Sequence, residues 1–160
     1  MSRATSNQLI ENLDNNAKRT TPTGAPAVES DTARIRTIGS FRQDNVAANQ
    51  SGVALTYQGI DATAPTSAVA PRAGKIVGMS WLLSAAITAG VATIKATVGG
   101  TASGDAESLV STATTAAVVD QSTEISFAEG DKLGVKVTTD GSASPTTSEL
   151  SVELIVRFDP

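Results

Sequence analysis

Three acidic side chains, Glu129, Asp131 and Asp140, come nearest in type and spacing to a chemical site. Two carboxylates flanking Gly130 could join Asp140 in an oxygen-rich cage for a hard cation. The same pattern has a plainer origin, because acidic residues beside glycine cap bent backbone in β-turns. The turn reading is the expected one. Asp105 and Glu107, in a stretch of small residues, are expected to sit in a loop of the same kind. No metal or other cofactor is expected.

Histidine and cysteine are both absent from the 160 residues. The usual general base near neutral pH is therefore missing, and with it the commonest metal ligand. Ser–His and Cys–His nucleophilic systems cannot be assembled, nor can disulfides or thiolate metal sites. A Ser–Lys pair is formally open, but Lys75, Lys95, Lys132 and Lys136 mostly fall in the outward phase of strands, where lysine is solvated. The Gly99–Gly104 run is glycine-rich, yet no Gly-Lys-Ser/Thr follows it and no helix opens behind it, so it reads as a hairpin connection. Asn49-Gln50-Ser51 matches the three-residue glycosylation pattern, which is weak by itself. Trp81, between Met79 and Leu82-Leu83, reads as a core or subunit-contact residue rather than a sugar-stacking platform. Catalysis is not expected.

The elements that would position these side chains are strands. From residue 51 onward apolar residues recur with period two, the mark of half-buried strands. Val53, Leu55 and Tyr57 alternate with Ala54 and Thr56, and Lys75–Leu83 forms a largely apolar run. Ala92, Ile94, Ala96 and Val98 share one face, and so do Leu133, Val135 and Val137. The clearest case is C-terminal: Leu150, Val152, Leu154, Val156 and Phe158 point inward, with Ser151, Glu153 and Arg157 outward. Leu109–Thr115 and Thr123–Phe127 are shorter candidates. Turn-forming clusters separate the runs at Asp61–Pro65, Ala89-Gly90, Gly99-Gly100, Glu129–Asp131 and Asp140–Pro145. The expectation is an all-β, antiparallel sandwich or barrel over residues 51–160.

Residues 1–50 read differently. Apolar residues are sparse, and an arm this polar does not order itself, since it cannot bury enough surface to offset ~1–2 kcal/mol of backbone entropy per residue. A neighbouring chain is expected to hold it, the alternative being that the arm packs back on its own body. Ser6–Ala17 can form one short helix with Leu9, Ile10 and Leu13 on one face and Ser6 as N-cap. Arg34, Ile35, Arg36 and Ile38, followed by Phe41, could add one strand to a neighbour's sheet edge. These eight residues, Leu9, Ile10, Leu13, Arg34, Ile35, Arg36, Ile38 and Phe41, are the candidate partner-binding set. Removing residues 1–44 is expected to leave a folded body.

Charge narrows the partners. Residues 1–50 hold six basic against five acidic residues, and residues 51–160 hold six against eleven, for a net −4 overall. An acidic body is a poor surface for phosphates that need clustered Lys or Arg, so nucleic acid is not an expected partner. No run approaches the ~20 apolar residues that span a bilayer, and no membrane partner is expected. Met1–Asn7 lacks the apolar stretch of a secretory signal, which fits synthesis in a cytoplasm. With only five aromatic residues, a core rich in Ala, Val and Thr gains from burying surface against other subunits.

Two stretches carry a resemblance. Ala70-Pro71-Arg72-Ala73-Gly74-Lys75-Ile76-Val77-Gly78-Met79-Ser80 resembles the lead-in to a strand common in small tailed-phage virion proteins. Ile125-Ser126-Phe127-Ala128-Glu129-Gly130-Asp131-Lys132-Leu133-Gly134-Val135 is similar to the corner of jelly-roll domains in such proteins, where Phe precedes Gly-Asp and an alternating strand. Spanning residues 70–158 loosely, this resemblance implies a jelly-roll capsid decoration (cement) protein of a tailed bacteriophage. It further implies a homotrimer on the capsid exterior, made in the bacterial host cytoplasm, with the major capsid protein as partner. Similar corners occur in phage fibre and tail-tip domains, and a tail-fibre or receptor-binding head is the alternative.

Overall fold

The alternating runs become strands that hide one row of side chains and expose the other. In the computed structural model, residues 34–58, 65–109 and 116–160 are described, by backbone alone at 105–108 and 116–119. Among the described residues ten strands follow in order: β1 (Ile35–Gln43), β2 (Val53–Ala54), β3 (Thr56–Tyr57), β4 (Ala68–Val69), β5 (Gly74–Leu83), β6 (Ala92–Val98), β7 (Thr101–Ser108), β8 (Ala116–Phe127), β9 (Lys132–Thr139) and β10 (Leu150–Phe158). On β10, Leu150, Val152, Leu154 and Val156 are buried while Glu153 is exposed. On β9 the buried row is Leu133, Val135 and Val137, and on β6 it is Ala92, Ile94 and Ala96. Each Leu, Ile or Val so buried contributes about 1.5–3 kcal/mol relative to exposure.

The strands pair into two antiparallel sheets, ordered β3-β1-β10-β5-β8 and β2-β9-β6-β7, with β4 also against β9. The pairs are nested. Outermost is β1 with β10, then β2 and β4 with β9, then β5 with β8, and innermost β6 with β7. A long hairpin folded over on itself in this way is a jelly roll, a two-sheet sandwich. Its core includes Phe41, Leu55, Ile76, Met79, Ile87, Ile94, Leu133 and Leu154, all fully buried. The scarce aromatics meet in pairs. Phe41 tilts against Tyr57 at 5.3 Å, and Phe127 meets Phe158 edge-on at 6.2 Å.

The corner quoted for the resemblance carries the chain between sheets: Phe127 ends β8 in one, the Glu129-Gly130 turn follows, and Lys132 opens β9 in the other. On β5 the buried phase slips by one at Gly78-Met79. The slip coincides with irregular pairing on both neighbours, to β8 and to β10, so Trp81 and Leu83 still face inward.

Two expectations are corrected here. The body does not begin at residue 51. Ile35–Gln43 lies between β3 and β10, and Phe41 is wholly buried, so the strand expected to extend a neighbour's edge instead pairs within its own chain. The division of the chain falls after Ser30 rather than at residue 50. Second, Thr101–Ser108 is strand rather than loop, placing Asp105 and Glu107 within β7. Leu109 is buried just beyond β7, and the remainder of the expected strand, residues 110–115, lies outside the described residues. Leu9, Ile10 and Leu13, with the expected short helix, also lie outside them, as do residues 61–64 of one expected turn.

Candidate functional site

Two of the carboxylates singled out for chemistry, Asp131 and Asp140, serve the backbone. Asp131 accepts a hydrogen bond from the Ala128 amide through Oδ2 at 2.8 Å, closing the β8–β9 corner. Asp140 accepts the Val91 amide at Oδ2 (3.0 Å), and at Oδ1 both the amide and the hydroxyl of Ser142 (3.0 Å each). These bonds, led by that from Val91, hold its carboxyl below the ordinary Asp value despite opposing desolvation. Gly90, with φ of +74°, brings the chain so close that an added Cβ would meet Asp140 and the Ala143 amide. Among the described residues, no group of three or more Asp or Glu is placed to hold a metal ion. Nor is any helix among them long and apolar enough to cross a membrane.

The lysines divide between the outward faces of the two sheets. On the five-stranded face, Lys75 of β5 lies opposite Arg157 of β10, two like charges in register. Glu124 of β8 bridges them, 3.0 Å from Lys75 Nζ and 2.7 Å from Arg157 Nη2. The Lys75 hydrogen bond is the main cause that holds the Glu124 carboxyl below its ordinary value, with the Arg157 charge assisting against desolvation. On the opposite sheet, Lys95 of β6 faces Lys136 of β9 in register, and Lys136 Nζ donates to the Gly100 carbonyl at 2.7 Å. Gly99-Gly100 is the hairpin turn between β6 and β7, as its glycines suggested.

Trp81 is 4% exposed and belongs to the core, so it offers no stacking platform. Its neighbour Leu82 projects outward and is 56% exposed. Two clefts meet at Leu82 and Ser151. One, of about 130 Å³, is flanked by Arg42, Gln43, Ser84 and Glu149, and the other, of about 210 Å³, by Ser80 and Glu153. The pair forms an apolar spot with a polar rim on the five-stranded face. A third cleft, of about 190 Å³, opens on the other face beside Lys132 and Lys136.

The partner-binding candidates are scattered rather than gathered. Ile35 is exposed, at the end of the sheet, opposite Arg157. Arg36 is exposed, donating through Nη1 to the Ile35 carbonyl at 2.8 Å, while Arg34 is half-buried. Ile38 packs against the core and Phe41 is part of it. Of these five, Ile35 and Arg36 alone present exposed side chains. Leu82 was missed, although its position was readable. In Trp81-Leu82-Leu83 alternate residues must face opposite ways, so burying Trp81 and Leu83 exposes Leu82.

Compared with models of known protein families and with curated proteins, the chain matches none.

Proposed function

We propose that this chain is a structural virion protein that binds the outside of an assembled phage capsid and stabilises it by bridging major capsid subunits. The observation carrying this reading is the pairing of a jelly-roll sandwich with a polar leader of residues 1–33, which holds the apolar trio Leu9, Ile10 and Leu13. The Leu82 clefts on the five-stranded face supply a second contact, apolar at its centre and polar at its rim as interfaces are. The mechanism is linkage. A protein that binds only the assembled shell shifts the equilibrium away from disassembly, and several weak contacts in a homotrimer add through effective concentration.

The position of β1 changes where the leader ends. Residues 34–43 belong to the body, so the segment offered to the capsid stops at residue 33. Heads purified without the chain are mixed with full-length protein or with a version lacking residues 1–33, then pelleted. The full chain is expected to co-sediment and the shortened one to stay in the supernatant. Equal sedimentation of both overturns the role given to the leader. A tail-fibre or receptor-binding head is the second reading, favoured by the polar cleft beside Lys132 and Lys136. Antibody labelling of virions separates the two: many copies over the head support the first, a few at the tail tip the second.

A further inference from the structure

The face of the sheet formed by β9 and β6 carries more positive charge than its described surroundings balance. Lys95 and Lys136 stand directly opposite each other, and like charges in that relation destabilise a strand pair. Lys136 leans to the Gly100 carbonyl, a bond that uses one of its three N–H donors. Lys132, on the same face of β9, lines the same cleft of about 190 Å³.

The shape of that cleft depends on Gly134. A Cβ there would lie 2.8 Å from the Thr66 carbonyl and 2.9 Å from Thr97 Oγ1, so only glycine lets the Thr66-Ser67 segment close over β9. The cleft is thereby lined by Thr66, Ser67 and Thr97, three hydroxyl-bearing residues, beside Lys132, Lys136 and the Gly99-Gly100 turn. Among the described residues lining the cleft there is no carboxylate. A small cleft lined by two lysines and three hydroxyl-bearing residues suits a compact, multiply charged acceptor.

We propose that this cleft binds a tetrahedral oxyanion, phosphate or sulfate, either free or borne on a glycan. The ligand would accept from both lysines and from the hydroxyls. The site stands on the opposite sheet from the Leu82 clefts and does not depend on capsid binding.

The full-length protein is titrated with inorganic phosphate and with sulfate at constant ionic strength, sodium chloride serving as control, and amide shifts are followed by NMR. Saturable shifts are expected at Thr97, Gly100 and Lys132, with affinity falling at least tenfold in Lys132→Gln/Lys136→Gln and unchanged in Lys75→Gln on the other face. Shifts that chloride reproduces, or that spread evenly over the molecule, overturn the proposal, and this mapping on the natural chain decides the matter even if the double variant fails to fold. A second arm compares a sulfated and a phosphorylated oligosaccharide with their unmodified parents. Tighter binding than the free ion marks a glycan source, whereas equal or weaker binding marks the free ion.

Discussion

The two outward faces of this sandwich solve the same electrostatic problem in different ways. Each sets two cations opposite each other across a strand pair, Lys75 with Arg157 on one and Lys95 with Lys136 on the other. On the first face Glu124 sits between the cations, its carboxylate within 3.0 Å of both, and the charges close on themselves. On the second, the described partner of Lys136 is a neutral carbonyl, which accepts a hydrogen bond but supplies no charge. A self-neutralised face can rest against water or an apolar partner. A face whose described cations have no carboxylate partner is suited to receive an anion. Net charge alone conceals this, since an overall −4 would suggest that the protein repels anions everywhere.

The contrast can be broken most severely by dismantling one face. Removing residues 1–44 takes out β1, deprives β10 of one neighbour and deletes Phe41 from the core. This truncation is expected to lose its cooperative thermal transition, while removal of residues 1–33 keeps it, and circular dichroism melts distinguish the two. A sharp transition in the longer truncation would return β1 to the role of a dispensable arm.

The other face is broken more gently at Gly134. Gly134→Ala drives a methyl group towards the Thr66 carbonyl and Thr97 Oγ1, and overpacking of this kind costs about 1–3 kcal/mol. Urea titration should show a lower midpoint with an unchanged slope. The variant should also open the cleft beside Lys132, making it a second probe of that site.

The smallest effect sharpens the comparison by pH and salt. Glu124 and Asp140 both have carboxyls held below their ordinary values, so each favours the folded state above those values, 4.5 and 3.8, and loses that contribution as pH falls through the depressed folded value. Glu124→Gln is expected to lower the melting temperature slightly at pH 7, more so at low salt, and to flatten the acid limb of the stability curve. Lys95→Gln should do the reverse at low salt, raising the melting temperature slightly by removing one of two like charges. Equal responses in the two variants would mean that the faces do not differ as described.

Much of the architecture was legible because its signal is local. The alternation from Leu150 to Val156 needs no knowledge of partners, and the Phe127 to Lys132 corner announces a change of sheet through its own turn residues. β1 is hard to read for a physical reason. Its run is broken by a register shift between Ile38 and Phe41, and its main partner, β10, lies at the far end of the sequence. Interrupted, and carrying Arg36 and Arg42, it looks like a free strand until β10 is beside it. β7 is hidden for a different reason: Thr101–Ser108 is small and polar, with no alternating apolar row to mark it as a strand. The oxyanion cleft was not readable at all. Thr66, Thr97, Gly100 and Lys132 come from four separate segments, and the residue that lets them meet is a glycine with no side chain to signal its purpose.

The nesting of the strand pairs also fixes an order of events during synthesis. β6 and β7 are joined by two glycines and can zip together as soon as both leave the ribosome, whereas β1 must wait for residues 150–158 before its principal ladder can form. For most of translation the nascent chain therefore carries β1 with only the two-residue β3 beside it and its β10 edge open, a species exposed to wrong pairing with other nascent copies. Exposed arginines at positions 36 and 42 of that strand are well suited to keep such premature partners apart until the last strand arrives.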